Sequence, residues 1–427
     1  MIKVLGRTIK QTDSAYQRRA IAASHRQGKC TDVSFDSHEQ KSLIEKIKQQ
    51  VLTENLLNSL IVFSPANFSY LTGGMILPDA FQHPFLQAAV LVRPEGERMI
   101  LCQSAYVEML REQGWKEDIL SFGLDQLHPE IGLLDGVKNI IQKDFSAHHK
   151  IGCDISQLPV AFVQDLQLDT KFQWVDISQQ MNQLRMIKTP KEIELIGEAV
   201  RQADRGLVSA LNHSEGNLLD SWGYSMWEFA ERIRVHIGEM GGHGTGQITA
   251  IQGSASQAFA DYPDGNLVQG NFLRTETSNH FRGYWSVGGR TLHVGWASDE
   301  HKSAYQKNTF LKNAGLALLK PGMRCCDVFT ALCTLADKEK IPVISEFGFG
   351  HGLGLTEYES PYLNSFDETV LQEGMVLVLS IYNTGPEKEL ICSKEIVAIT
   401  QEGAEVLSWY RNWDDLYEMT GNTARHG

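Results

Sequence analysis

The sequence lacks a paired-cysteine motif, a long apolar run and an excess of positive charge. Its seven cysteines (Cys30, Cys102, Cys153, Cys325, Cys326, Cys333 and Cys392) are scattered along 427 residues, with no CxxC pair. Neither a zinc knuckle nor a disulfide framework is expected, and reduced thiols in a cytoplasmic protein are the default. No stretch approaches the ~18 consecutive apolar residues of a membrane span, so no membrane partner is expected. Lys and Arg number 39 against 52 Asp and Glu, a formal net charge of −13. That balance argues against a nucleic-acid partner, because a phosphate-binding surface clusters Lys and Arg. Fixed-period repeats, low-complexity tracts and long charged extensions are also missing.

What is present describes an ordinary globular chain. Hydrophobic residues make up 42% and charged residues 21%, and two or three domains are expected at ~150 residues each. Residues 1–29 carry Lys3, Arg7, Lys10, Arg18, Arg19, Arg26 and Lys29 against the single acid Asp13. An arm over residues 1–40, packed on the body or on a partner subunit, is expected there; a targeting segment is the alternative.

Helical spacing of Leu43, Ile44, Ile47, Val51, Leu56 and Leu57 predicts a helix over 42–60. Short apolar runs predict strands at 60–63, 88–92, 98–102 and 150–154, with a helix over 126–145. The alternation implies an α/β domain over 41–186. Thr189-Pro190 then suits a helix start, Thr as N-cap and Pro in the first turn. The second domain is placed at 187–427. It is expected to hold helices at about 190–212 and 222–239, and strands at 271–277, 284–292, 375–382 and 390–399. A helical block over 299–338 is broken at Lys320-Pro321-Gly322-Met323.

Five segments stand in order along the chain: Asn67-Phe68-Ser69-Tyr70-Leu71-Thr72-Gly73, Leu184 to Glu192, Lys320-Pro321-Gly322-Met323, Phe349-Gly350-His351-Gly352-Leu353-Gly354-Leu355 and Gln372-Glu373-Gly374-Met375-Val376. Together they resemble the markers of the creatinase / prolidase / methionine aminopeptidase superfamily. The resemblance implies a mixed α/β (α+β) fold, with a pita-bread C-terminal domain, a smaller creatinase-like N-terminal domain and a homodimer. In the peptidases of that superfamily, two metal ions are held by Asp, Asp, His, Glu and Glu, and they activate a water. The matching positions here are Glu276, Val287, His351, Ser380 and Lys394. A shift of one residue at the last strand would substitute Glu395 for Lys394.

Val cannot ligate and an ammonium repels a cation, so the expectation is the metal-free branch, similar to creatinase and ectoine hydrolase. That resemblance implies a metal-independent hydrolase with no cofactor. It would cleave an amidine, amide or urea C–N bond in a small cationic or zwitterionic substrate. Glu276 is expected to bind the substrate cation or shuttle a proton; a plain salt bridge with Arg274 or Arg290 is the alternative. His351 is the expected acid/base, since imidazole titrates near pH ~6.5. Asp261 stands nearest to creatinase's catalytic His, and His243 is a second candidate base. Arg274, Tyr284, Glu357, Tyr358 and Glu359 are expected substrate contacts. The loop Phe81 to Phe85 is a candidate for reaching over a partner's site. A non-catalytic binding protein, or a metal-dependent peptidase or lyase with shifted ligands, are the alternatives.

Overall fold

The computed structural model describes residues 2–4, 7–9, 37–75, 88–123, 129–167, 171–217, 224–242, 244–253, 265–408 and 413–420. Its contacts fall into two units, Asp32–Arg185 and Met186–Gly427, the latter taking in Met1–Thr31.

The smaller unit is built on a six-stranded sheet. Its strands run Asp118–Phe122, Arg98–Gln103, Ala88–Val92, Ser59–Val62, Lys150–Cys153 and Gln173–Asp176 across the sheet. Ile61, Leu91, Leu101 and Ile151 pack with Val137 of the helix Pro129–Asp144 and with Phe162. The segment Asn67 to Gly73 has a structural reason. Buried Asp154 accepts from Phe63 N and Ser64 N, both at 3.0 Å, and from Asn67 Nδ2 at 2.9 Å. Three donors on one buried carboxylate fix the start of the helix Pro65–Thr72, and Gly73 closes it at φ 73°. The helix expected over 42–60 is instead an α-helix, Ser37–Ile47, that widens into a π-turn, Lys48–Thr53. It stops because Asn55 Nδ2 donates to Val51 O at 2.9 Å, and Leu56 turns to φ 54°.

In the larger unit, helix α1 (Pro190–Asn217) starts as its sequence predicts. Thr189 N donates to Glu192 Oε2 at 2.8 Å and Glu192 N to Thr189 Oγ1 at 3.3 Å, a reciprocal cap. Helices α2 (Met226–Glu239), α3 (Asp299–Leu318) and α4 (Cys325–Lys338) follow. The strands are β1 (Gly244–Ile251), β2 (Phe272–Phe281), β3 (Tyr284–Val294), β4 (Gly350–Gly352), β5 (Glu359–Tyr362), β6 (Val376–Thr384), β7 (Leu390–Thr400), β8 (Gly403–Val406) and β9 (Tyr417–Met419). They form one sheet in the order β5-β4-β6-β7-β3-β2-β1, with β8 on β7 and β9 on β3.

The strand expected at 271–277 continues through Ser278, Asn279 and His280. It is paired on both sides, and Asn279 Nδ2 donates to Ala199 O of α1 at 3.1 Å. Leu377, Leu379 and Ile381 pack with Leu311 of α3 and with Val328 and Leu332 of α4. Alternation sends Val378, Ser380 and Tyr382 to the opposite face of the sheet. Among the described residues, no helix is long and apolar enough to cross a membrane.

Candidate active site

Strand pairing sets up one row of residues across four strands. Glu276 lies opposite Gly289, Gly289 opposite Lys394, and Lys394 opposite Ser380. Directly paired residues share a face, so these four stand together. Val287 is two residues from Gly289 on that face, and His351 pairs with Val378, two residues from Ser380. The five positions predicted from the sequence therefore meet on the face that α3 and α4 leave open. Alternation along β7 also decides the register. Lys394 turns to this face, while Glu395 turns to the helix side, where it accepts from Arg290 Nη2 at 2.9 Å and lies 3.7 Å from Lys312.

Glu276 is gripped by three donors. Arg274 pairs with Oε1, Lys394 pairs with Oε2, and Tyr382 Oη donates to Oε2 at 3.1 Å. Burial pushes its carboxyl up, yet Lys394, Arg274 and Tyr382 together hold it below the usual carboxylate range. For Lys394, burial disfavours the ammonium, but the Glu276 charge outweighs this and raises its pKa. The salt-bridge alternative thus describes Glu276, with Lys394 as the second partner and Arg290 engaged elsewhere. The lysine reaches Glu276 because Gly289 lies beneath it. A β-carbon at 289 would sit 2.9 Å from Lys394 Cγ and 2.9 Å from Cys392 Sγ. Cys392 itself is pushed up to about 12, first by burial and then by Glu276.

His351 is buried, with Nδ1 donating to Gly352 O at 2.9 Å and its ring 4.3 Å from the exposed Tyr358 ring. Burial first, then the Lys394 charge, lowers its pKa to about 4, against the Gly352 carbonyl. The imidazole is thus neutral near pH 7, its Nδ1 proton is fixed, and Nε2 carries the lone pair. A stability prediction follows. Because the folded state resists this proton, it binds fewer protons than the unfolded chain between pH 6.5 and about 4. Stability is therefore present above 6.5 and lost as pH falls through that window, by about 3 kcal/mol from this group. Urea melts across the window should show that loss for the wild type and not for His351→Asn. Parallel curves for the two proteins would refute it.

The other expected contacts are placed as follows. Glu359 accepts from Lys188 Nζ at 3.0 Å and Thr356 N at 3.2 Å, a buried pair belonging to the fold. Tyr284 Oη donates to Glu192 Oε1 at 3.1 Å, tying β3 to α1. Glu357 Oε1 is buried with no hydrogen-bond partner among the described residues; burial raises its carboxyl against the pull of Lys394. His243, Asp261 and the loop Phe81 to Phe85 lie outside the described residues. Sequence reasoning missed Tyr382 and treated Lys394 only as a lost ligand. The period-2 series Ser380, Tyr382 on β6 and Cys392, Lys394 on β7 was the available signal.

Residues 194–401 match Metallopeptidase family M24, and residues 44–187 match the Creatinase/Prolidase N-terminal domain. The chain belongs to the creatinase/prolidase superfamily. It is 21% identical over 379 residues to an Xaa-Pro dipeptidase of Pyrococcus horikoshii, covering 85% of this chain and 97% of the relative. It is 24% identical over 340 residues to an Xaa-Pro dipeptidase of Lactobacillus delbrueckii subsp. lactis, covering 77% and 86%. Its fold is that of a prolidase from Thermococcus sibiricus, with TM-score 0.75, 20% identity and coverage of 90% and 99%. The mixed α/β pita-bread fold with its creatinase-like N-terminal domain is thereby shown.

These relatives correct the functional expectation. A creatinase-like, metal-independent hydrolase of non-peptide C–N bonds is not what they point to. They are named for dipeptide hydrolysis, and the matching family is one of metallopeptidases. The bond class of that expectation is overturned, and with it the likeness to creatinase.

The family name implies a metal, and the residues present can be tested against it. A dinuclear centre needs several anionic oxygens and an imidazole. Here one position is apolar Val287, one is Ser380 and one is an ammonium, Lys394, already paired with Glu276, the one carboxylate among the five positions. Among the described residues, no group of three or more His, Cys, Asp or Glu side chains is arranged to hold a metal ion. The donor set does not fit a metal pair.

Proposed function

We propose that the chain hydrolyses the peptide C–N bond of a short peptide on the face that carries His351. The relatives' names supply the bond class, and His351 is the observation that carries the reading. It is a neutral imidazole with Nδ1–H committed to Gly352 O and Nε2 free to accept. An imidazole so arranged can take a proton as a general base, a weak one at neutral pH because its pKa is lowered. Water gives a proton to Nε2 as its oxygen adds to the peptide carbonyl carbon. When the C–N bond breaks, the proton passes to the leaving nitrogen, and the carboxyl group formed gives its own proton to the amine, leaving a carboxylate and an ammonium. Glu276 keeps Lys394 and Tyr382 in place beside this base rather than acting itself, since both its oxygens are engaged by Arg274, Lys394 and Tyr382.

The test is a panel of Xaa-Pro and other dipeptides, each incubated with the purified chain with and without added Mn²⁺ or Co²⁺, with free amino acid as the readout. Turnover of some member, falling ~100-fold or more in His351→Ala, is expected. Peptides that bind without being cleaved under either condition would replace hydrolysis with recognition.

A further inference from the structure

The family implies a metal pair and this chain's donors do not fit one; the reason is a residue rather than a gap. The Lys394 side chain leaves β7, crosses β3 over Gly289 and ends on Glu276 of β2. Gly289 is required for that path, since any β-carbon would meet the lysine stem and the Cys392 sulfur. Both oxygens of Glu276 are taken, Oε1 by Arg274 and Oε2 by Lys394 and Tyr382. The first ligand position thus already holds a cation, delivered by the fifth position. Val287, the second, is a buried apolar side chain that offers no ligand atom. Tyr382 also turns its ring toward the ammonium, Nζ lying 5.8 Å from the ring centroid.

We infer that the Lys394 ammonium is the resident cation of this site, held where the family's metals would lie, and that the site takes up no divalent ion. The inference needs three residues of matched role: a lysine long enough to span a strand, a glycine under it and a carboxylate at its end. Glu276, Gly289 and Lys394 sit directly opposite one another. The lysine also offers its remaining N–H donors on the face that holds His351, since Glu276 is its one hydrogen-bond acceptor among the described residues. A carbonyl or carboxylate oxygen of a ligand is the group that would accept them. This last step rests on the peptide reading above; the metal step does not.

Calorimetric titration of the full chain with Mn²⁺ and with Co²⁺, after chelator treatment, tests it without any substrate. The wild type should show no stoichiometric uptake that His351→Ala removes. The variant Lys394→Glu/Val287→Asp/Ser380→Glu, which keeps Glu276 and His351, should gain at least one site, ~100-fold or more tighter than any wild-type binding. Wild-type uptake of one or two ions per chain that His351→Ala abolishes would overturn the inference. If the triple variant does not fold, the comparison of wild type with His351→Ala still decides. Dipeptide turnover that appears only with metal would also overturn it while leaving the proposed function intact, so the two readings fail separately.

Discussion

Glu276→Gln should lower the free energy of unfolding by about 3–5 kcal/mol, among the largest losses available to a change of so few atoms. The substitution preserves shape and removes one negative charge. It leaves Lys394, which is buried and among the described residues ion-paired with Glu276 alone, facing Arg274 with no anion between them. Two routes are open to the variant: destabilisation, or release of the Lys394 proton. Burial already disfavours this ammonium, and Glu276 is the largest of the influences that hold its pKa up. Without Glu276 the folded-state pKa falls below the unfolded value. The folded variant then binds fewer protons than its unfolded chain as pH approaches the lysine range, so its deficit should shrink as pH rises.

Lys394→Met should cost less, since Arg274 and Tyr382 remain on the carboxylate. In Glu276→Gln/Lys394→Met the loss should be less than the sum of the two single losses. Urea melts of the four proteins at neutral pH and near pH 9 would measure this. Additive losses, or a Glu276→Gln loss below about 1 kcal/mol, would show that the pair is not coupled.

The fold was legible because its markers are consequences of local physics. Thr189-Pro190 with Glu192 predicts a capped helix, and the cap forms. The nearly continuous apolar run from Met375 to Tyr382 predicts a strand, and Val376–Thr384 is one. The π-turn at Lys48–Thr53 was not legible, because Asn55 ends the helix by a side-chain bond that spacing does not record. The polar end of β2 was hidden for a related reason: Asn279 and His280 are held as strand by neighbours on either side, and Ser278, where the register against β1 shifts, by Val287 of β3.

At the site, the identity of the five positions could be counted from the sequence, but their meaning could not. That Lys394 rather than Glu395 faces Glu276 depends on the register of β7 against β6 and β3. Residues 276 and 394 become neighbours only through Gly289. A lysine in a ligand column reads as a loss until the strand beneath it is known to carry a glycine. Glu359 and Tyr284 read as substrate contacts because the family places a site near them. Their partners, Lys188 and Glu192, come from the start of α1 and the residues just before it.

Gly350→Ala should be the other large effect, above about 4 kcal/mol, and it separates two explanations for the glycines around His351. If they served only to let a ligand approach, a methyl group would weaken binding and leave folding alone. The geometry says otherwise. Gly350 has φ 143°, a backbone conformation that L-residues rarely adopt, and a β-carbon there would lie 1.9 Å from Val378 O. That oxygen belongs to the strand that pairs with His351, so the alanine must push β4 from β6 and carry the imidazole with it. Gly322→Ala is the control. Its φ is 89°, but nothing lies within 4 Å of the added carbon, so it should lose only the conformational part, about 1–2 kcal/mol. Thermal melts of both variants isolate the contact from the backbone strain. Equal losses would mean that β4 relaxes freely, and the position of His351 would then have to be set by its Nδ1 bond to Gly352 O rather than by the strand.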